Sequence, residues 1–152
     1  MIRFILFTLF ISSNLFGNLL KPEDGHELNY IHVLFEWEQE PDAVAYQIEI
    51  STDSNFLSLI VSQIDSSLIY IEKEMIDWET TYYWRVAPLY QNSNSGEYID
   101  TQMFSTGGTI SNAEATIFDE NSYSEGLTAF GAFYDYYSAI IDMNGNEIWN
   151  TG

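Results

Sequence analysis

Cysteine is absent from all 152 residues, so this chain has no disulfide, no thiolate nucleophile and no thiolate zinc site. That alone does not decide where the chain works, since a cysteine-free protein can still be exported. Basic residues are nearly as scarce: 4 stand against 23 acidic ones, for a formal charge of -19. Partners held by phosphate contacts are bound through Lys and Arg, so nucleic acid is excluded as a partner. The same charge keeps the molecule soluble and repels an anionic membrane surface. Zinc-site spacing, a phosphate-cradling glycine loop and an Asn-x-Ser/Thr glycosylation site are all missing. The first apolar run, Phe4 to Ile11, is too short to span a bilayer, and no span is expected once the leader around it is removed.

What is present is apolar and aromatic. Apolar residues make up 46% of the chain and aromatic residues 16%, enough to bury a core for one domain or one and a half. Residues 1–17 read as a secretory signal: Arg3, then the run Phe4 to Ile11, then Ser12, Ser13, Asn14 and Gly17. The absence of cysteine near Gly17 rules out a lipoprotein anchor there. Export to a periplasm, to the cell surface or beyond the cell is expected. The basic residues left after signal removal are Lys21, Lys73 and Arg85.

The segment that organises the rest is Thr80-Thr81-Tyr82-Tyr83-Trp84-Arg85-Val86. Its alternation sends Tyr82, Trp84 and Val86 to one face and Tyr83 and Arg85 to the other. With Ile76 and Thr80 ahead of it, the spacing suits a β-sandwich corner, where a tyrosine hydroxyl bonds back to the backbone a few residues upstream. Other strands fall around it. Leu20 to Gly25 fits a short edge strand ending in an Asp-Gly turn. In Val33-Leu34-Phe35-Glu36-Trp37 the odd positions share a face. In Ala45-Tyr46-Gln47-Ile48-Glu49-Ile50, Tyr46, Ile48 and Ile50 face away from Gln47 and Glu49. Residues 56–64 form a less regular apolar run, Leu68 to Ile71 leads back to the corner, residues 91–96 form a polar loop, and Tyr98 to Phe104 supplies the last strand. Trp37, Tyr46, the Ile76/Thr80/Tyr82/Trp84/Val86 corner and the close from Gly96-Glu97-Tyr98 to Phe104-Ser105-Thr106 resemble a fibronectin type III domain over residues 19–107. That resemblance implies an immunoglobulin-like sandwich and names no activity.

A small, polar linker is expected at residues 108–114, and residues 115–152 follow a different pattern. Ala115-Thr116-Ile117-Phe118 and Gly126 to Phe130 are short extended segments on either side of an acidic turn. Tyr136 to Asp142 then runs to Asn144-Gly145, the strongest short hairpin signal, and back through Glu147-Ile148-Trp149. The pattern Gly126-Leu127-Thr128-x-Phe130-Gly131, with Tyr137-Ser138-Ala139-x-Ile141-Asp142-x-Asn144-Gly145-Asn146-Glu147-Ile148-Trp149, resembles the start of the β-propeller of the aryl-sulfate sulfotransferase family. The fold expected is therefore all-β: a fibronectin type III-like sandwich followed by the first, incomplete blade of a propeller. The resemblance implies an exported parent that moves a sulfuryl group between phenols through a histidine nucleophile. This chain is then its N-terminal fragment, with the rest of the propeller as its partner.

No position here matches that histidine. The only two, His26 and His32, fall in the sandwich and suit solvated or capping roles. Asp142-x-Asn144-x-Asn146 matches the opening of a calcium loop, but Glu147 stands where glycine is required, and a hairpin turn is the better reading. Glu36, Glu38, Glu40, Glu72 and Glu74 alternate with apolar residues and are expected on outer strand faces. Asp119, Glu120 and Glu125 could hold calcium only weakly. Tyr83, Tyr98 and Phe133-Tyr134-Asp135-Tyr136 could stack on a glycan or a phenolic small molecule, although burial is the commoner use of such residues. No catalytic, cofactor-binding or metal-ligating residue is assigned, and no cofactor is expected. The fragment alone is expected to be inactive, as a spacer or accessory binding module. The alternative reading is a surface adhesin or glycan-binding sandwich without enzymatic activity.

Overall fold

The computed structural model describes residues 17–91, 94–115, 126–132 and 137–152. The export signal up to residue 16, the 116–118 part of the first extended segment of the tail, the acidic turn at 119–125 and the aromatic run 133–136 lie outside the described residues. Eleven strands are described: β1 (Leu19–Lys21), β2 (His26–Leu28), β3 (Val33–Trp37), β4 (Ala45–Ser51), β5 (Leu59–Asp65), β6 (Ile69–Glu72), β7 (Thr81–Leu89), β8 (Thr101–Thr106), β9 (Thr128–Ala132), β10 (Tyr137–Ile141) and β11 (Glu147–Asn150). The first eight build two sheets, of order β1-β3-β6 and β2-β8-β7-β4-β5. All pairings in them are antiparallel except β2 with β8. This is the strand arrangement of a fibronectin type III-like β-sandwich.

Period-2 alternation explains which side chains meet between the sheets. Val33, Phe35 and Trp37 from one sheet and Tyr46, Ile48, Ile50, Tyr82, Trp84, Val86 and Phe104 from the other are all buried. Phe35 meets Trp84 edge-on at 5.1 Å between ring centroids and Phe104 at 5.8 Å, Trp37 meets Tyr46 at 5.6 Å, and Tyr82 stacks on Phe104 at 5.4 Å. Such geometries add to the area term, which is already the largest contribution to a core of this kind. The corner forms as its spacing requires. The Tyr82 hydroxyl accepts the Asp77 N–H at 2.8 Å, and Thr106 Oγ1 donates to the Asp77 carbonyl at 2.7 Å, tying β8 to the same turn.

Two outward assignments do not hold: Glu40, which lies outside any strand, and Glu72, which shares the inward face of β6 with Tyr70, are buried. Glu49 is buried as well, but on the outer face that alternation gives it, where it is bonded to Arg85. Glu72 closes the turn after β6: its Oε1 accepts the N–H groups of Lys73, Glu74 and Met75, and Tyr70 donates its hydroxyl to Oε2 at 2.7 Å. Burial pushes the Glu72 pKa up, but the Glu74 amide, the Tyr70 hydroxyl and the Met75 and Lys73 amides outweigh it and hold the carboxyl below its ordinary value. The last sandwich strand starts at Thr101, not Tyr98, because the Asp100 carboxylate takes the Thr101 N–H at 2.7 Å and Tyr98 turns onto Arg85. The irregular apolar run becomes the edge strand β5, of which only Val61 is buried while Leu59 and Ile64 stay exposed.

β9, β10 and β11 form a separate antiparallel sheet of order β11-β10-β9. Its hairpin turns at Asn144-Gly145. Gly145 has φ +86°, a left-handed value that a glycine adopts without strain. A Cβ there would also lie 3.1 Å from the Ala115 nitrogen. Asp142 holds the turn, accepting the N–H groups of Asn144 and Asn146 on Oδ1 at 2.9 and 2.8 Å and the Asn146 amide on Oδ2 at 2.8 Å. These residues therefore make a side-chain-capped turn.

Candidate functional site

The sandwich and the C-terminal sheet meet along β11. One edge of β11 pairs with β10, and the other is taken by residues 29–31 of the sandwich. Ile31 N–H donates to the Ile148 carbonyl at 3.0 Å and Asn150 N–H to the Asn29 carbonyl at 2.9 Å, around a Tyr30–Trp149 bridge. A free strand edge exposes a row of unpaired donors and acceptors, and here three residues of the sandwich chain cover it.

Side chains of β11 complete the grip. Glu147 is buried; its Oε1 accepts the Ile110 N–H at 3.0 Å and the Asn150 side-chain amide at 2.7 Å, and its Oε2 accepts the Ser111 N–H at 2.7 Å. Asn150, also buried, donates to the Gly108 carbonyl at 2.9 Å and accepts the Gly152 N–H at 2.8 Å. The Trp78 indole, just ahead of the tyrosine corner, donates to the Glu147 carbonyl at 2.8 Å. A buried carboxylate is costly unless hydrogen-bonded, and this one is. Burial raises its pKa, but Ser111, Asn150 and the Ile110 amide outweigh that and hold it below the ordinary carboxylate range. The strandless segment 108–114 is thus tied down at Gly108, Ile110 and Ser111.

Beside this contact lies a cleft of about 570 Å³, with Ile31, His32, Lys73 and Trp78 on the sandwich side and Asp142, Asn146 and Ile148 on the sheet side. His32 is half-buried there. Burial and then the Lys73 charge push its pKa down, and Asp142 partly offsets them. His26 is elsewhere, exposed on β2 with its Nε2 3.3 Å from Glu23 Oε2. Among the described residues, no group of three or more His, Asp or Glu side chains is placed to hold a metal ion. No described helix is long and apolar enough to cross a membrane.

On the outer face of the five-stranded sheet, Arg85 donates from Nε and Nη2 to Glu49 Oε2 at 2.8 and 2.6 Å. Its guanidinium lies 3.9 Å from the Phe56 ring centroid and 3.7 Å from that of Tyr98. Of the aromatics singled out for stacking, Tyr83 is half-buried on that face and Tyr98 is more exposed. Sequence reasoning missed Trp78 and the Glu147–Asn150 pair as docking residues. The available signal was a Trp two residues ahead of Thr80 and two polar residues on a strand otherwise made of Ile and Trp.

No protein-family model matches the chain, and no curated protein matches it. Among solved structures, it is similar to an Fn3-like protein from Clostridium thermocellum, at 18% identity over 63% of this chain and 96% of that one, with a TM-score of 0.47. It is also similar to a β-1,2-glucanase from Parabacteroides distasonis, at 17% identity over 65% of this chain, with a TM-score of 0.44. The chain spans 14% of that second protein's length.

Proposed function

We propose that residues 19–107 are a non-catalytic support module of an exported protein, joined by residues 108–114 to a propeller that opens at residues 115–152. The whole protein transfers a sulfuryl group from phenolic sulfates to phenols, and this portion holds the first blade in place. The observation that carries the support role is the second edge of β11, covered by Asn29–Ile31 and reinforced by Trp78. A flexible spacer has no use for a buried Glu147–Asn150 pair gripping its linker. The transferase part of the reading rests on the 126–149 resemblance.

Sulfuryl transfer needs a nucleophilic nitrogen and cationic groups around the developing sulfate charge. With Lys21, Lys73 and Arg85 as the basic residues after residue 17, and both histidines in the sandwich, this portion lacks that equipment. The test is transfer from 4-nitrophenyl sulfate to a phenol. The 152-residue chain should release no 4-nitrophenol above background, whereas the longer protein containing the later blades should. Turnover by the 152-residue chain, abolished by His26→Ala or His32→Ala, would overturn the division of labour.

A further inference from the structure

At one end of the sandwich the β3–β4 loop and the β7–β8 loop enclose a second cleft of about 470 Å³, lined by Glu40, Pro88, Tyr90, Glu97, Tyr98 and Ile99. Loops at the end of such a sandwich are where the fold carries binding surfaces on a rigid frame. The volume lies in the range of small-ligand sites, and the make-up matches them: mostly apolar and aromatic walls with a few polar groups.

The walls are held before any ligand arrives. Tyr98, 38% exposed, has its ring 3.7 Å from the Arg85 guanidinium, which is itself locked to Glu49. Tyr90 and Pro88 pack against Gly96 so closely that a Cβ there would come within 3.0 and 2.8 Å of their ring atoms. The loop is closed by the Gly96 N–H to the Pro88 carbonyl at 2.8 Å and the Tyr90 N–H to the Asn94 carbonyl at 3.0 Å. Rings fixed in this way bind without a further ordering cost.

The polar groups are two carboxylates. Glu97 is exposed, while Glu40 is only 4% exposed; among the described residues the Gly17 N–H is the one hydrogen-bond donor to its side chain. A buried carboxylate with so few donors calls for more. No basic residue lines the cleft, and the whole chain carries -19, so an anionic ligand is repelled. What suits two aromatic faces and two acceptors is a ring with an apolar C–H face and several O–H or N–H donors.

We propose that this cleft binds a hexopyranose residue of a neutral or basic glycan, stacked on Tyr98 and Tyr90, with its hydroxyl or amino groups donating to Glu97 and Glu40. The site is independent of sulfuryl transfer. Titration calorimetry of the 152-residue chain with cellotriose, a glucosamine trimer and a galacturonate trimer tests it. The first two should bind with Kd values of about 1 mM or tighter, the galacturonate trimer at least about tenfold more weakly by charge repulsion. Tyr90→Ala should weaken binding about tenfold, in line with the loss of one aromatic stacking contact; Glu97→Gln, which keeps the loop's shape, should weaken it severalfold. Three results would overturn the proposal: no binding of cellotriose and glucosamine trimer, equal binding of the galacturonate trimer, or binding that neither variant changes while both keep the wild-type thermal midpoint.

Discussion

Arg85 lies over both the Phe56 and Tyr98 rings and is bonded to Glu49, and Phe56 itself adopts φ +58°. A left-handed aromatic residue is strained, and the turn around Asp53 sustains it: Asp53 accepts the Phe56 N–H on its carbonyl at 3.0 Å and the Asn55 N–H on Oδ1 at 3.1 Å. Replacing Arg85 with Met leaves Glu49 buried without its cation. Because Arg85 keeps a quarter of its side chain in water, the loss should be about 3 kcal/mol, the low end for breaking a buried pair. Denaturant unfolding of Arg85→Met measures this, and Arg85→Lys should recover only part, since an ammonium cannot stack as a plane between two rings. Alternation in the sequence assigned Tyr46, Ile48, Ile50, Tyr82, Trp84 and Val86 correctly. It failed at Glu40, which lies outside any strand, and at Glu72, which shares the inward face of β6 with Tyr70, because a period of two says nothing about where a strand begins or which of its faces turns inward.

Among the elements, β3, β4, β7 and the Asn144-Gly145 turn were legible because each carries a local pattern: alternation, or a dipeptide that tolerates positive φ. The partner of β11 was not. Residues 29–31 have no alternation of their own, and they meet β11 from the far end of the chain. Trp78→Phe keeps an aromatic ring, smaller than the indole, but removes the donor to the Glu147 carbonyl, and an unmade buried hydrogen bond costs roughly 1 kcal/mol. Limited proteolysis of this variant should cut within residues 107–112 faster than in the parent chain, while the sandwich core stays resistant. An unchanged rate would mean that the indole contributes nothing to the docking.

At the scale of the molecule, the docking depends on pH. Glu147 is held below the ordinary carboxylate value, so its contribution is full above a pH of about 4.3 and is lost as pH falls through its lower folded value. The same sign holds for His32, kept low by burial and Lys73: its neutral form is favoured in the folded protein, and stability is lost as pH falls below about 6.5. His32, Lys73, Glu74, Asp77, Asp142 and Glu147 all line the cleft between the two units. The sheet should therefore loosen in two steps on acidification, and Glu147→Gln should shrink the lower one in a pH series of thermal midpoints; the remainder belongs to Asp142, whose carboxyl is held low against burial by hydrogen bonds from Asn146 and Asn144. The most direct test of the docking is amide hydrogen exchange at Ile31 and Asn150, whose N–H groups make the two backbone bonds between residues 29–31 and β11. Both should exchange slowly near neutral pH, comparably with β10, and lose protection together in Asn150→Ala, with Ile48 and Trp84 in the sandwich unaffected. Fast exchange at Ile31 and Asn150 in the unaltered chain, beside a protected β10, would contradict the docking.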